Sequence, residues 1–383
     1  MGFFQAEAIL LLFLLIACLA ISSWLLQKNN ILPKETIERS SPLDGLRGVL
    51  ALSVLAHHFY ITYIWKTDGS WEKPQSVLID NFGAVAVSFF FLITGFLFIS
   101  KVQKGNIDWK KLYISRVKRI APLFYFAFSF VLILTLINEP VTSKNIYDYS
   151  KWFMDWLMFK GEHFNSFESR TVIAGVDWTL NYEWKFYFAL PLIFFIWHGK
   201  INKYIAALII IWLLFYIFKN KSNQIYALFL FAIPVVIYKE KLISQMQVNK
   251  KVVNTIIGIS TISALFFMEA YSIIQMVTLA IAFAFIAHGY SFNNILNNKG
   301  LKVLGEISYS IYLMHGIVLY MAFSVFEVID LKSITLYQYY MFFPLIFSAV
   351  VLTSLITYHC IESPFLRKNI KHASLTSKVY SER

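Results

Sequence analysis

The chain has 383 residues, of which 58% are hydrophobic and 18% aromatic, while only 15% carry charge. Soluble domains carry about 25% charged residues, so these proportions exclude an ordinary soluble globule and indicate one integrated membrane bundle. The net charge of +12 raises nucleic acid as a partner, but Lys and Arg fall in short loops between apolar runs and form no basic arm, so no nucleic acid is expected.

Alternating ten-residue strands are absent, so the expected fold is all-α: a polytopic membrane helix bundle of about eleven transmembrane helices. The first apolar stretch, Phe3 to Leu26, has no positive leading region and no small-residue cleavage site. It is expected to stay as an extra N-terminal transmembrane helix, with residues 1–40 ending in a cytoplasmic linker. A membrane domain over 41–366 and a basic cytoplasmic tail over 367–383 complete the organisation. The spans are expected near 4–26, 44–65, 82–100, 119–138, 178–198, 204–218, 223–238, 252–269, 271–288, 303–326 and 337–358.

Loop charge orients them. Residues 101–119 hold Lys101, Lys104, Lys110, Lys111, Arg116, Lys118 and Arg119 against the single acid Asp108, which makes this segment cytoplasmic. Alternation then puts the N-terminus outside and the C-terminus inside, with 139–177 as the longest outer loop. Cys18 and Cys360 lie far apart and form neither a disulfide framework nor a metal spacing, and no metal ligand set is visible.

Five stretches carry chemistry. The second span opens on Ser41, Pro42 and Asp44, a helix start with a cap, a proline at the first position and a capping-box acid. Arg47 and His58 share one face of this helix, because eleven residues at about 100° return to within about 20°, some ~16 Å further along. His57 points about 80° away by the same count and reads as a packing residue. An ionisable group inside a membrane is costly and faces a cavity or partner, which favours a functional His58. Thr94 and Gly95 interrupt the aromatic run of the third span, where small and hydroxyl residues suit helix packing or a substrate channel. Arg116 and Arg119 share a face at the start of the fourth span. They satisfy the positive-inside rule on its own, or they clamp a phosphate.

In DWTLNYEWKFY, Glu183 lies near the start of an apolar span, with Tyr187 one turn further along the same side. In GEISYSIYLMHG, Ser308, Tyr312 and His315 form a polar stripe at i, i+4 and i+7. That stripe is either a hydrogen-bonded helix seam or a functional face.

Taken in order, these stretches resemble acyltransferase family 3, bacterial membrane enzymes that O-acylate surface glycans. The family's Arg, ten residues, then His pattern matches Arg47 and His58 inside LDGLRG, and FFLITGF carries Thr94 where Ser is usual. Arg116 and Arg119 match an R-x-x-R element, and WTLNYEWKFY, GEISYSIYLMHG and Glu362-Ser363-Pro364 match further elements over about residues 42–366. The extra first span departs from the pattern, and no appended esterase-like domain is expected.

The resemblance implies an enzyme of the bacterial inner membrane with acyl-CoA, most often acetyl-CoA, as co-substrate and no bound cofactor. Arg47, Arg116 and Arg119 would meet the coenzyme's phosphates. His58 would be the general base, with Glu183 or His315 orienting the imidazole or the acceptor. Thr94, Ser308, Tyr312 and Tyr187 would line the substrate channel. The acceptor would be a hydroxyl of a glycan or lipid-linked glycan, and neither its identity nor the oligomeric state is readable. The alternative class is a transporter, whose paired broken helices and inverted repeats are not found.

Overall fold

A computed structural model describes residues 2–29, 41–245 and 249–366. The expected linker and tail, at 30–40 and 367–383, lie outside the described residues. The elements are α1 (Gly2–Lys28), α2 (Pro42–Asp68), α3 (Val77–Lys104), α4 (Trp109–Asn138), α5 (Ile146–Leu157), α6 (Trp178–Trp197) and α7 (Lys203–Lys219). They continue as α8 (Tyr226–Gln245), α9 (Lys250–Phe266), α10 (Ile273–Ala287), α11 (Lys299–Glu306), α12 (Ser308–Tyr320), α13 (Leu336–Tyr340) and α14 (Phe343–Thr357). Among the described residues there is no strand, only a single bridge between Phe164 and Phe167.

The expected spans fall largely on helices, but the one near 303–326 is broken at Ile307 between α11 and α12, and the one near 337–358 at Met341–Phe342 between α13 and α14. Seven helices among the described residues are long and apolar enough to cross a membrane. The other four, α6, α7, α9 and α10, have 20, 17, 17 and 15 residues. The multi-pass architecture is therefore clear. The segment 139–177 contains a helix that the loop reading did not foresee. Its signal is the spacing of Tyr149, Trp152 and Trp156, which puts three aromatics on one buried face of α5.

The chain divides into two compact units. The first comprises Met1–Ile107, Thr179–Ser308 and Leu331–Pro344; the second comprises Asp108–Trp178, Tyr309–Asp330 and Leu345–Arg383.

In the first unit, α2 begins as its sequence dictates. Ser41 Oγ accepts from the Leu43 amide at 3.2 Å, and Asp44 accepts from the Ser41 amide at 2.7 Å, closing a capping box. The first turns of α2 lie backbone to backbone on α11. A Cβ on Gly48 would come within 2.7 Å of the Leu301 carbonyl oxygen and 2.8 Å of the Gly305 amide nitrogen. A Cβ on Gly305 would in turn strike the Asp44 carbonyl, and one on Gly45 the Leu296 carbonyl. The glycines of LDGLRG and of GEIS thus serve the same contact, from its two sides.

A second clip joins α3 to the α9–α10 turn. Asn81 and Gln275 are both fully buried. Asn81 Nδ2 donates to the carbonyls of Ala264, Leu265 and Met268 at 3.0, 3.0 and 2.8 Å. These belong to the end of α9 and the residues just beyond it, where helix carbonyls lack intrahelical partners. Gln275 Nε2 donates to Asn81 Oδ1 at 2.8 Å, and Gln275 Oε1 accepts from the Tyr271 amide at 2.8 Å. Every polar atom of this pair has a use, as a site without water demands.

In the second unit, α5 folds its aromatic face onto α4. Trp156 stacks on Phe128 with centroids 5.4 Å apart, and Tyr149 meets Phe164 at 4.0 Å. Trp152 Nε1, Trp156 Nε1 and Ser169 Oγ all donate to the Glu162 carbonyl, at 2.9, 3.1 and 2.7 Å.

The glycine contact gives a direct comparison. Gly48→Ala is expected to destabilise by about 1–3 kcal/mol, because the added methyl must displace backbone. Gly258→Ala, whose Cβ would meet the Phe292 ring at an ordinary 3.5 Å, is expected to be neutral or stabilising, since Ala favours a helix by up to about 1 kcal/mol over Gly. Thermal unfolding of both purified variants in one detergent checks this; equal melting temperatures would contradict it.

Candidate active site

Two histidines in the first unit stand side by side on α2 with different surroundings. His57 Nδ1 lies 2.8 Å from the Ile79 carbonyl, and its ring edge is pressed to α3 at Gly83, where a Cβ would come within 2.9 Å of Cδ2 and 3.1 Å of Nε2. It ties α2 to α3. His58 Nδ1 lies 3.2 Å from the Val54 carbonyl one turn back on its own helix. A carbonyl can only accept, so Nδ1 carries the hydrogen and the lone pair of the neutral ring is on Nε2. The two rings meet edge-on at 4.9 Å. Arg47, at the other end of the shared face, lies 3.7 Å from the capping acid Asp44. Its charge is thus partly offset at the helix start, where both side chains are about a quarter exposed (25% and 26%).

A segment from beyond α2 returns over His58. Gly69, with φ +81°, ends the helix in the left-handed conformation, and its amide donates to Trp65 O at 3.0 Å. The Trp71 ring then lies near-parallel to the His58 ring, with centroids 6.2 Å apart and planes at 22°.

The first unit also brings Thr94, Glu183 and Tyr187 together. The Tyr187 hydroxyl donates to Glu183 Oε1, and Thr94 Oγ1 donates to the same oxygen at 3.4 Å. Glu183 Oε2 takes no hydrogen bond among the described residues. Tyr187 is fully buried against Phe98, with rings 4.8 Å apart, whereas Glu183 is half-buried. One oxygen of the carboxylate is therefore fixed by two hydroxyls. The i, i+4 pair was legible in sequence; the Thr94 bond needs α3 against α6.

In the second unit, His315 is fully buried, with Nδ1 3.1 Å from the Ile311 carbonyl and its ring 6.2 Å from that of Tyr312. The Tyr312 hydroxyl donates to Val176 O at 3.4 Å. Gly316, the next residue after His315, lets the turn at Ile173–Ala174 approach α12 where any Cβ would clash. A buried clasp holds that turn. Asp177 accepts from Arg170 Nε at 3.1 Å and from the Gly161 amide at 2.9 Å. Burial pushes the Asp177 carboxyl up to about 6 against the opposing pull of Arg170. The stripe predicted on α12 starts at Ser308, which belongs to the first unit and whose buried Oγ has no partner among the described residues.

Arg119 makes an ion pair that sequence reasoning missed. Its Nη1 lies 2.6 Å from Glu362 Oε1, and Ser310 Oγ donates to Glu362 Oε2 at 2.8 Å. Glu362 is 1% exposed and Arg119 16%. A wide helical turn, Tyr358–Glu362, delivers the acid. Such π-turns are rare and concentrate at special positions. The sequence marked Glu362 as an acid just after an apolar span and as part of the Glu362-Ser363-Pro364 element, but gave no partner for it. Arg116, three residues before Arg119 on α4, is half-buried. Among the described residues, no three His, Cys, Asp or Glu side chains group to hold a metal ion.

The Arg119–Glu362 pair separates anchoring from ligand binding. Glu362→Gln and Arg119→Met are each expected to destabilise by about 3–5 kcal/mol, and the double variant by less than their sum. Melting temperatures of the three proteins check this. Unchanged stability with only a raised donor KM for Arg119→Met would contradict the anchor.

Known proteins give an independent comparison. A family model described as an acyltransferase domain matches residues 42–359. YrhL of Bacillus subtilis (strain 168), whose name assigns it provisionally as a peptidoglycan O-acetyltransferase, is 23% identical over 89% of this chain and 57% of its own length. The O-acetyltransferase OatA of Staphylococcus aureus (strain MRSA252) is 25% identical over 89% of this chain and 59% of its own. The peptidoglycan O-acetyltransferase OatA of Listeria monocytogenes is 26% identical over 40% of this chain. The chain spans less than three-fifths of the length of YrhL and the staphylococcal OatA. No solved structure matches it. With the family model covering most of its length and the Arg47, His58, Glu183 and His315 stretches in order, the chain belongs to acyltransferase family 3.

Proposed function

We propose that the protein is a multi-pass membrane O-acetyltransferase that moves an acetyl group from a thioester donor to a hydroxyl of a cell-wall glycan. The observation that carries this reading is His58, whose Nδ1–H is committed to the Val54 carbonyl, so that Nε2 is the basic nitrogen. In the proposed step the glycan hydroxyl oxygen attacks the thioester carbonyl carbon while its proton passes to His58 Nε2. The tetrahedral intermediate collapses, the carbon–sulfur bond breaks, and the imidazolium returns the proton to the leaving thiolate. Glu183, fixed through Oε1 by Tyr187 and Thr94, orients the acceptor through Oε2. His315 is proposed as an orienting residue for the reaction, a role that rests on the sequence pattern.

Acetyl-CoA is the proposed donor, reaching the protein from the cytoplasm at the bacterial inner membrane. Arg47 and Arg116 are its proposed phosphate contacts, a role that rests on the sequence pattern, while Arg119 is committed to Glu362. The relatives named for peptidoglycan O-acetylation support the glycan acceptor and the acetyl group.

The paired histidines test the base. His58→Ala is expected to lose acetyl transfer by ~10²–10⁴ while reaching the membrane at parental abundance. His57→Ala is expected to keep much of its activity at reduced stability, because it packs helices and handles no proton. Both are assayed for free CoA release from acetyl-CoA in the same membranes, with protein measured by blot. An active His58→Ala beside an inactive, well-expressed His57→Ala would overturn the assignment.

A further inference from the structure

The segment that returns over His58 is built too firmly to be a slack connection. Gly69 turns the chain back at φ +81°, and Pro74 and Ser76 are buried. Lys73 pairs with Asp80 in the first turn of α3 at 2.9 Å. Between these anchors Trp71 is held in one place: near-parallel to the His58 imidazole and edge-on to Trp65, with centroids 5.4 Å apart at 74°. Trp65 lies seven residues after His58, two turns further along α2. Both indoles are only half-buried. An aromatic wall thus borders the imidazole on the side of the α2 C-terminus and keeps part of its surface open.

The chemistry beside a base decides what such a wall suits. A base that activates a hydroxyl needs the rest of the acceptor held in register. A pyranose ring offers hydroxyls around its rim and an apolar face of C–H groups. An indole takes that face and leaves the rim hydroxyls to a neighbouring polar group. An imidazole next to the indole is such a group. Leu at position 71 would retain apolar area; an aromatic ring, Phe included, adds the flat, electron-rich face that aligns with C–H donors.

We infer that Trp71, backed by Trp65, is the binding platform for a pyranose ring of the acceptor glycan, setting which hydroxyl meets His58. This rests on the reading of His58 as base and of a glycan as acceptor. Trp71 binds substrate in this scheme and takes no part in proton transfer.

The test uses the full chain in nanodiscs and a GlcNAc–MurNAc tetrasaccharide as probe, with affinity measured by titration calorimetry. Trp71→Leu is expected to weaken binding about tenfold and Trp71→Phe by no more than about threefold, with melting temperatures close to the parent. In transfer assays with the same probe, Trp71→Leu is expected to raise the acceptor KM and to spread the acetyl group over more than one hydroxyl. Melting temperatures close to the parent in both Trp71→Leu and Trp71→Phe separate loss of the ring face from a general loosening of the segment. Parental affinity in Trp71→Leu, with the parent binding the probe, overturns the platform and leaves the proposed reaction standing. A parent that does not bind the tetrasaccharide overturns the glycan acceptor and the platform together. An active His58→Ala that binds the probe normally overturns the base alone.

Discussion

The helix that carries Arg47 and His58 is held by a backbone-to-backbone approach that only glycine permits. Gly45 and Gly48 on α2 meet Leu296, Leu301 and Gly305, and Gly305 meets Asp44. The same turn of α2 supplies the capping box through Ser41 and Asp44, and Asp44 also faces Arg47. One contact therefore fixes the height of α2, the direction of its first turn and the position of its arginine. Everything further along the helix, His57 and His58 included, inherits its register from there. Without water to drive helix association, close packing of small residues is one of the few forces left to do this.

The second constraint is that polar groups in such a bundle need protein partners. Asn81 and Gln275 satisfy each other and the exposed carbonyls at the end of α9. Glu362 is neutralised by Arg119 and further bonded by Ser310. Asp177 holds Arg170 and the Gly161 amide, and so fixes the turn that meets Gly316 beside His315. Glu183 is held through one oxygen. Two hydroxyls engage one of its oxygens, and the other faces no donor among the described residues.

What the sequence made legible was local. Ser41, Pro42 and Asp44 announce a helix start because a capping box is written within four residues. Tyr187 and Glu183 are one turn apart, so their hydrogen bond follows from helical spacing. The two histidines are told apart by the same arithmetic. What the sequence could not disclose depends on helices far apart in the chain. Arg119 looked like a topological or phosphate-binding cation because its partner Glu362 comes from the last turn of a distant span. Trp71 carried no signal in the sequence, because nothing in its own stretch says that Gly69 folds it back onto His58. The aromatic face of α5 was readable from its spacing but was absorbed into a loop by its low overall hydropathy.

The central claim is that this chain joins an acetyl group to a glycan hydroxyl. It is tested most directly by reconstituting the purified protein in proteoliposomes with [14C]acetyl-CoA on one side and GlcNAc–MurNAc tetrasaccharide on the other. The account predicts base-labile [14C]acetyl ester on the recovered sugar. It also predicts free CoA in equal amount, and neither product with His58→Ala. Transport of the sugar across the bilayer with no ester formed and no CoA released would contradict it.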